Sequence, residues 1–145
     1  MVVIIAIIGI VVMLVRNNQS EKTNGNVANG EGNTSNSYVE EIEDGVKINK
    51  STKLNEAKEI DGLTIANIQL TTESGMTTLL ADVTNHSSAK TEVKSIEITL
   101  LNEDGAELTK VTGIINALDV GESTQLNIAM TSDYVNAYDF KVNVK

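Results

Sequence analysis

Residues 138–144 read Tyr-Asp-Phe-Lys-Val-Asn-Val, with an aromatic or branched aliphatic side chain at every second position and a polar one between. Side chains on a β-strand point alternately to the two faces of a sheet, so this pattern predicts a strand with one buried and one solvated face. The same alternation occurs upstream in Thr124 to Met130, within a strand predicted from Ser123 to Met130, and in Ile96 to Leu100. Together these stretches predict a mainly β domain.

Turn-forming sequences separate the predicted strands. Glu103-Asp104-Gly105 and Asp119-Val120-Gly121-Glu122 combine glycine with acidic residues, the composition of tight turns. The alternation changes phase between Leu63–Ile65 and Ile68–Leu70, which predicts a bulge near Ala66-Asn67. Thr71 to Gly75 is the predicted hairpin turn that leads into a further strand at Leu79 to Val83. The other predicted elements are a short edge strand at Val46 to Ile48, a helical turn or crossing loop in Ser51 to Glu59, and a strand beginning near Glu107.

About seven short strands with regular turns predict an immunoglobulin-like antiparallel β-sandwich over residues 38–145. A small antiparallel barrel is the alternative. Aromatic residues make up only 3% of the chain and proline is absent, so the core must be built from Ile, Val and Leu. The absence of cysteine excludes disulfides, thiolate metal sites and a lipid-bearing cysteine.

The first 15 residues are apolar, with eleven Ile, Val and Leu and no charge. They predict a single transmembrane anchor helix over residues 1–16, although 15 helical residues span only about 22 Å of a hydrocarbon core of roughly 30 Å. Arg16 follows the apolar run and no basic residue precedes it, which by itself favours a cytoplasmic C-terminal part. We therefore expect a short basic leader upstream of Met1 and a domain outside the cytoplasm.

Residues 17–37 consist mostly of Asn, Ser, Gly and Thr. Such a segment cannot bury enough apolar surface to offset the entropy lost on ordering, so it predicts a flexible linker. A random chain of this length has an end-to-end distance near 25 Å. The predicted domain would therefore stay close to a membrane.

The chain carries a formal net charge of −9, which predicts repulsion from nucleic acid and anionic lipid. His86 is the one histidine, so no histidine pair is available for a metal, and the sequence holds no recognisable catalytic constellation. We expect no enzymatic activity and no cofactor. The acidic turns at 102–104 and 119–122 lack the spacing of known calcium loops, and calcium dependence stays open.

Four landmarks resemble the FxLYD domain, a small bacterial and archaeal cell-envelope module. The family's Val-x-Asn strand end is matched by Asp82-Val83-Thr84-Asn85, and its naming motif by Ile98-Thr99-Leu100-Leu101-Asn102, in which Leu100 is identical. Glu103-Asp104-Gly105 stands at its hairpin turn, and Leu118 to Ser123 looks like its Leu-x-Pro-Gly-Glu turn with Val120 in place of proline. The resemblance covers roughly Leu63 to Val144 and implies a β-sandwich in the cell envelope, with no catalytic residues.

These observations predict a membrane-anchored, single-pass extracytoplasmic interaction module. Its partners would be the membrane, through the N-terminal helix, and another envelope protein or a wall polymer. Tyr134 and Tyr138, near the last loop, are the candidate interaction surface, because aromatic side chains are enriched at interfaces. The alternative is a pilin-like or passive structural surface subunit. Against this alternative, a pilin helix normally continues unbroken into the globular part, whereas the helix predicted here ends at a Gly-rich linker.

Overall fold

The computed structural model describes residues 37–145, so the predicted anchor at 1–16 and the predicted linker up to residue 36 lie outside the described residues. The described part is mainly β, with nine strands in two antiparallel sheets and two short 3-10 turns. None of its helical segments is long and apolar enough to cross a membrane.

The large sheet has the order β1-β2-β4-β5-β8, and β3 also pairs with β4. The small sheet has the order β7-β6-β9. The strands are β1 (Val39–Glu41), β2 (Lys47–Asn49), β3 (Lys58–Ile60), β4 (Leu63–Glu73), β5 (Met76–Asn85), β6 (Lys94–Leu101), β7 (Glu107–Ile115), β8 (Ser123–Met130) and β9 (Asp139–Val144).

The core lies between the two sheets and consists of aliphatic side chains and one phenylalanine. Ile65 of β4 and Leu79 of β5 meet Ile98 of β6 and Phe140 of β9 in one buried cluster, each with no exposed surface. Burying a side chain of this size stabilises the fold by roughly 1.5–3 kcal/mol. The alternation that predicts the strands therefore also selects the residues that hold the sheets together.

β7 of the small sheet and β8 of the large sheet pack tightly at Gly113. A Cβ added at Gly113 would lie only 2.7 Å from a methyl carbon of Leu126. Glycine is needed at this position for space rather than for its backbone freedom, since its φ is not positive. The absence of a side chain at Gly113 lets Leu126 fill the gap between the sheets.

Most predicted elements are confirmed. β8 spans the predicted Ser123 to Met130, the turn at 103–105 joins β6 to β7, and the β4–β5 register shifts between Ala66 and Gln69, where Asn67 has a φ of 53°. Within residues 37–145 the ladders fall into two separate sheets, so the barrel alternative is wrong.

The number of strands is corrected from about seven to nine among the described residues. The hairpin turn predicted at Thr71 to Gly75 is also corrected, because β4 continues to Glu73 and the turn consists of Ser74 and Gly75 alone. β1 and β3 have three residues each, too few for an alternating pattern to be recognised. The segment Ser51 to Glu59 contains the 3-10 turn Thr52–Asn55, whose Leu54 is buried, and continues into β3.

The start and the end of the domain are joined by side-chain hydrogen bonds. The amide of Asn49 donates to the carbonyls of Val135 and Ala137, and the hydroxyl of Ser51 donates to the carbonyl of Tyr138 at 2.6 Å. These contacts hold the end of β2 and the residues after it against the loop that precedes β9.

Candidate functional site

An open polar groove of about 470 Å³ lies on the outer face of the large sheet, across β4, β5 and β8. These three strands are consecutive in the sheet but distant in sequence. The residues that line the groove carry mainly hydroxyl, amide and carboxylate groups: Thr64, Ala66, Asn67, Asp82, Thr84, His86, Ser123, Thr124 and Gln125.

The register of the sheet arranges the groove in rows. Thr64 lies opposite Thr84, which in turn lies opposite Ser123, so that three hydroxyl groups cross the sheet side by side. The hydroxyls of Thr84 and Ser123 are 2.7 Å apart and hydrogen-bonded. This row offers a ligand both donors and acceptors along a line perpendicular to the strands.

The next row centres on Asp82, which pairs with Ala66 of β4 and Gln125 of β8. The bulge turns Asn67 onto this face, where its amide donates to a carboxylate oxygen of Asp82 at 3.0 Å. Because a carboxylate has two oxygens and about four acceptor positions, Asp82 keeps capacity for a ligand after this bond. The bulge predicted from the sequence thus shapes one side of the groove.

Asn85 positions the end of the groove, although it does not line it. Its side chain has no exposed surface, and its amide lies within 2.9–3.2 Å of the carbonyls of Ala89, Leu118 and Asp119. Its side-chain oxygen accepts from the backbone N–H of Ser87. These bonds join the end of β5 to two loops.

His86 follows Asn85 directly and is held by its backbone, whose N–H donates to the carbonyl of Gly62 at 2.9 Å. Its side chain is exposed at the groove. The hydroxyl of Ser123 is hydrogen-bonded to Thr84, which is not the serine–histidine pairing that a nucleophilic site requires. The arrangement is suited to hydrogen bonding with a ligand.

The acidic turns use their side chains to close themselves. The side-chain oxygen of Asn102 accepts from the backbone N–H groups of Asp104 and Ala106, and a carboxylate oxygen of Glu122 accepts from the N–H of Asp119 at 2.8 Å. The described residues contain no group of three or more His, Cys, Asp and Glu side chains placed to hold a metal ion.

The structure places Tyr134 and Tyr138 in different surroundings. Tyr134 is half-buried and packs against the core, whereas Tyr138 packs against Tyr38, with ring centroids 5.2 Å apart. The hydroxyl of Tyr38 donates to the carbonyl of Asn136, and burial raises the pKa of Tyr38, with a further contribution from the nearby charge of Glu103. The role of Tyr134 and Tyr138 in binding stays a prediction.

Sequence reasoning missed the groove, although its signal was present. The polar positions that alternate with the core residues of β4, β5 and β8 are the positions that line it. What the sequence lacked was the register that brings Thr64, Thr84 and Ser123 into one row.

Comparisons with known proteins add little to this picture. No family model and no curated protein matches the chain, so the FxLYD resemblance is not confirmed. A crystal structure of a DUF1425 family member from Shewanella sp. pv-4 is similar to it, with a TM-score of 0.40, 10% sequence identity, and coverage of 74% of this chain and 94% of that one. A likeness of this size carries no argument about ligand or activity.

Proposed function

We propose that this chain is a membrane-anchored extracytoplasmic binding module of the cell envelope, and that the polar groove across β4, β5 and β8 is its ligand-binding surface. The observation that supports the proposal is the row of three hydroxyls beside Asp82 and Gln125 on an open sheet face. In this reading residues 1–16 anchor the chain and residues 17–37 connect the anchor to the domain.

The chemistry of the groove favours a ligand that is rich in hydroxyl or amide groups and carries no negative charge. Its lining contains no lysine or arginine, and the chain has a net charge of −9, so an anionic ligand would be repelled. Its lining also contains no large apolar side chain that would favour a lipid or an apolar peptide. A neutral stretch of wall polymer has the hydrogen-bonding groups that such a surface can satisfy.

We also propose that the sandwich has immunoglobulin-like connectivity and belongs with the FxLYD type of domain. Two pairings support this: β5 pairs with β8 in one sheet, and β6 pairs with β9 in the other. Strands that alternate between sheets along the chain are a feature of Greek-key sandwiches.

Sedimentation with insoluble cell-wall material from the source cells tests the binding proposal. The full chain is solubilised in mild detergent and compared with T84V, which removes one groove hydroxyl at nearly constant volume. We expect wild type to sediment and T84V to bind about fivefold more weakly, because a lost hydrogen bond costs about 1 kcal/mol. The matched control is T112V, at an exposed threonine of β7 on the outer face of the other sheet.

Two results would contradict the proposal. Absence of wild-type sedimentation would exclude wall polymer as the ligand, and equal binding by T84V and T112V would place the binding surface elsewhere. The location is tested separately by protease treatment of intact cells that carry a tag after Lys145. Survival of a membrane-bound tag until lysis would exclude an extracytoplasmic domain.

A further inference from the structure

One edge of the large sheet is open. β8 pairs with β5 on one side, and no described strand pairs with it on the other. The backbone N–H of Asn85 donates to the carbonyl of Glu122. In an antiparallel ladder, every second residue of a strand bonds to the same neighbour through its backbone. From this bond and the β5–β8 register, Thr124 and every second residue after it bond to β5. The intervening residues direct their backbone N–H and C=O groups away from the sheet, and all of them are exposed: Ser123, Gln125, Asn127 and Ala129.

β8 also lacks the features by which natural proteins protect an edge strand. Such edges are usually short, irregular, or carry lysine or proline. β8 has eight residues, none of them charged or proline, and no register shift against β5.

The other edges of the described sheets are protected. β7 contains Glu107 and Lys110 and has an irregular register against β6, and β1 and β3 have three residues each. β9 contains Asp139 and Lys141, and the Asp139 carboxylate accepts the backbone N–H of Phe140 at 2.7 Å. β8 is thus the one long and unprotected edge of the part that the structure describes.

We propose that β8 pairs with β8 of a second copy of this chain, antiparallel and about a two-fold axis, so that the two large sheets join into one. Electrostatics favours this edge over every other described strand as the place where a second copy can pair. Two chains of net charge −9 repel each other, and among the described strands only β8 has no charged residue, so repulsion is least here.

Self-pairing of β8 is also chemically complementary. A two-fold axis through Leu126 places Gln125 opposite Asn127 of the second copy, and Ser123 opposite its Ala129. These are amide against amide and hydroxyl against methyl, with no like charges opposed. Four outward-facing residues on each copy give up to about eight main-chain hydrogen bonds across the new ladder.

The pairing has a consequence for the groove. Ser123 and Gln125 line the groove and lie on the pairing strand, so the grooves of the two copies would adjoin on one continuous sheet face. A polymer that spans both grooves would be held by two sites at once, and its avidity would exceed the affinity of either site.

Disulfide cross-linking tests this register directly, because the chain has no cysteine of its own. Two differently tagged full-length chains, Q125C and N127C, are co-expressed and oxidised in native membranes. Residues directly opposed in an antiparallel ladder have Cα atoms about 5.5 Å apart, within the range of a disulfide. We expect a mixed disulfide for this pair and none for the control pair T112C and N143C, on the outer face of the small sheet.

A charge substitution supplies an independent test. N127K places a lysine on the open edge, and N143K is the matched control on β9, where the asparagine is also exposed. Sedimentation equilibrium of the full chain in detergent should give a dimer for wild type and for N143K, and at least tenfold weaker association for N127K. A monomeric wild type, a dimer unaffected by N127K, or equal cross-linking of the two cysteine pairs would overturn the proposal.

Discussion

Replacing Asn85 with alanine should lower the free energy of unfolding by about 2–4 kcal/mol, because its buried amide joins the end of β5 to two loops. The amide has two protons and lies near three carbonyls, so two good hydrogen bonds are lost, each with a net contribution of about 1 kcal/mol. A third loss is the acceptor for the backbone N–H of Ser87. Lost packing around the fully buried side chain adds to this cost.

The three carbonyls that accept from Asn85 each keep another hydrogen-bond donor in N85A. The loss of stability is therefore smaller than if buried carbonyls were left without a donor. The carbonyl of Leu118 still accepts from the backbone N–H of Thr91, and that of Asp119 from the N–H of Glu122. The carbonyl of Ala89 still accepts from the hydroxyl of Ser87. For a domain of this size, about 3 kcal/mol corresponds to a fall in melting temperature of roughly 12–24 °C.

The nearly isosteric N85D separates hydrogen bonding from packing. At neutral pH a carboxylate would face three carbonyl oxygens in a buried position, so N85D should be at least as destabilising as N85A. Repulsion and burial raise the pKa of the introduced carboxyl in the folded state above its unfolded value of about 3.9. The penalty should therefore be smallest below about pH 4 and grow as the pH rises through the folded pKa.

Urea unfolding followed by tyrosine fluorescence measures both variants, since the chain has three tyrosines and no tryptophan. All three tyrosines, Tyr38, Tyr134 and Tyr138, lie among the described residues. The control is N143A, at an exposed asparagine where a change below about 0.5 kcal/mol is expected. A free energy of unfolding for N85A within that margin of N143A would refute the role given to the buried amide.

Two further substitutions test the packing and the electrostatics. G113A should cost about 1–3 kcal/mol by overpacking, because the new methyl group meets Leu126, and adding L126V should recover part of the loss in a double-mutant cycle measured by urea unfolding. Burial alone would raise the pKa of Asp133, but hydrogen bonds from the backbone of Val135, the Thr72 hydroxyl and Lys47 outweigh it and lower that pKa. This carboxylate therefore stabilises the fold above its unfolded pKa of about 4, and its contribution is lost as the pH falls through the lower folded pKa. Thermal unfolding between pH 3 and pH 6 should accordingly show a smaller loss of stability on acidification in D133N than in wild type.

The strands were predictable where a long stretch has one face buried. β8 was found with its observed bounds because Leu126 and Met130 alternate with polar residues over eight positions. β1 was missed because three residues carry too little pattern, and its pairing with β2 depends on a register that only the folded chain specifies.

The groove could not be predicted for a different reason. Its rows combine Thr64, Thr84 and Ser123, which become neighbours only through the pairing of three strands from distant parts of the chain. Asn85 was recognised as part of a motif, but its burial and its carbonyl partners depend on the two loops folding over it. Polar residues on a strand look alike in sequence whether they line a groove or face open solvent.

The short strand β1 has a mechanical consequence if the domain is held from its N-terminal side, as we propose. Tension applied through residues before Ser37 would act first on β1, which is antiparallel to β2 and lies at the rim of the large sheet. The hydrogen bonds nearest that end join the backbone N–H of Lys50 to the carbonyl of Tyr38 and the Tyr38 hydroxyl to the carbonyl of Asn136, so these would be loaded first. Detachment of β1 would lengthen the chain without exposing the buried core, because β1 contains no core residue.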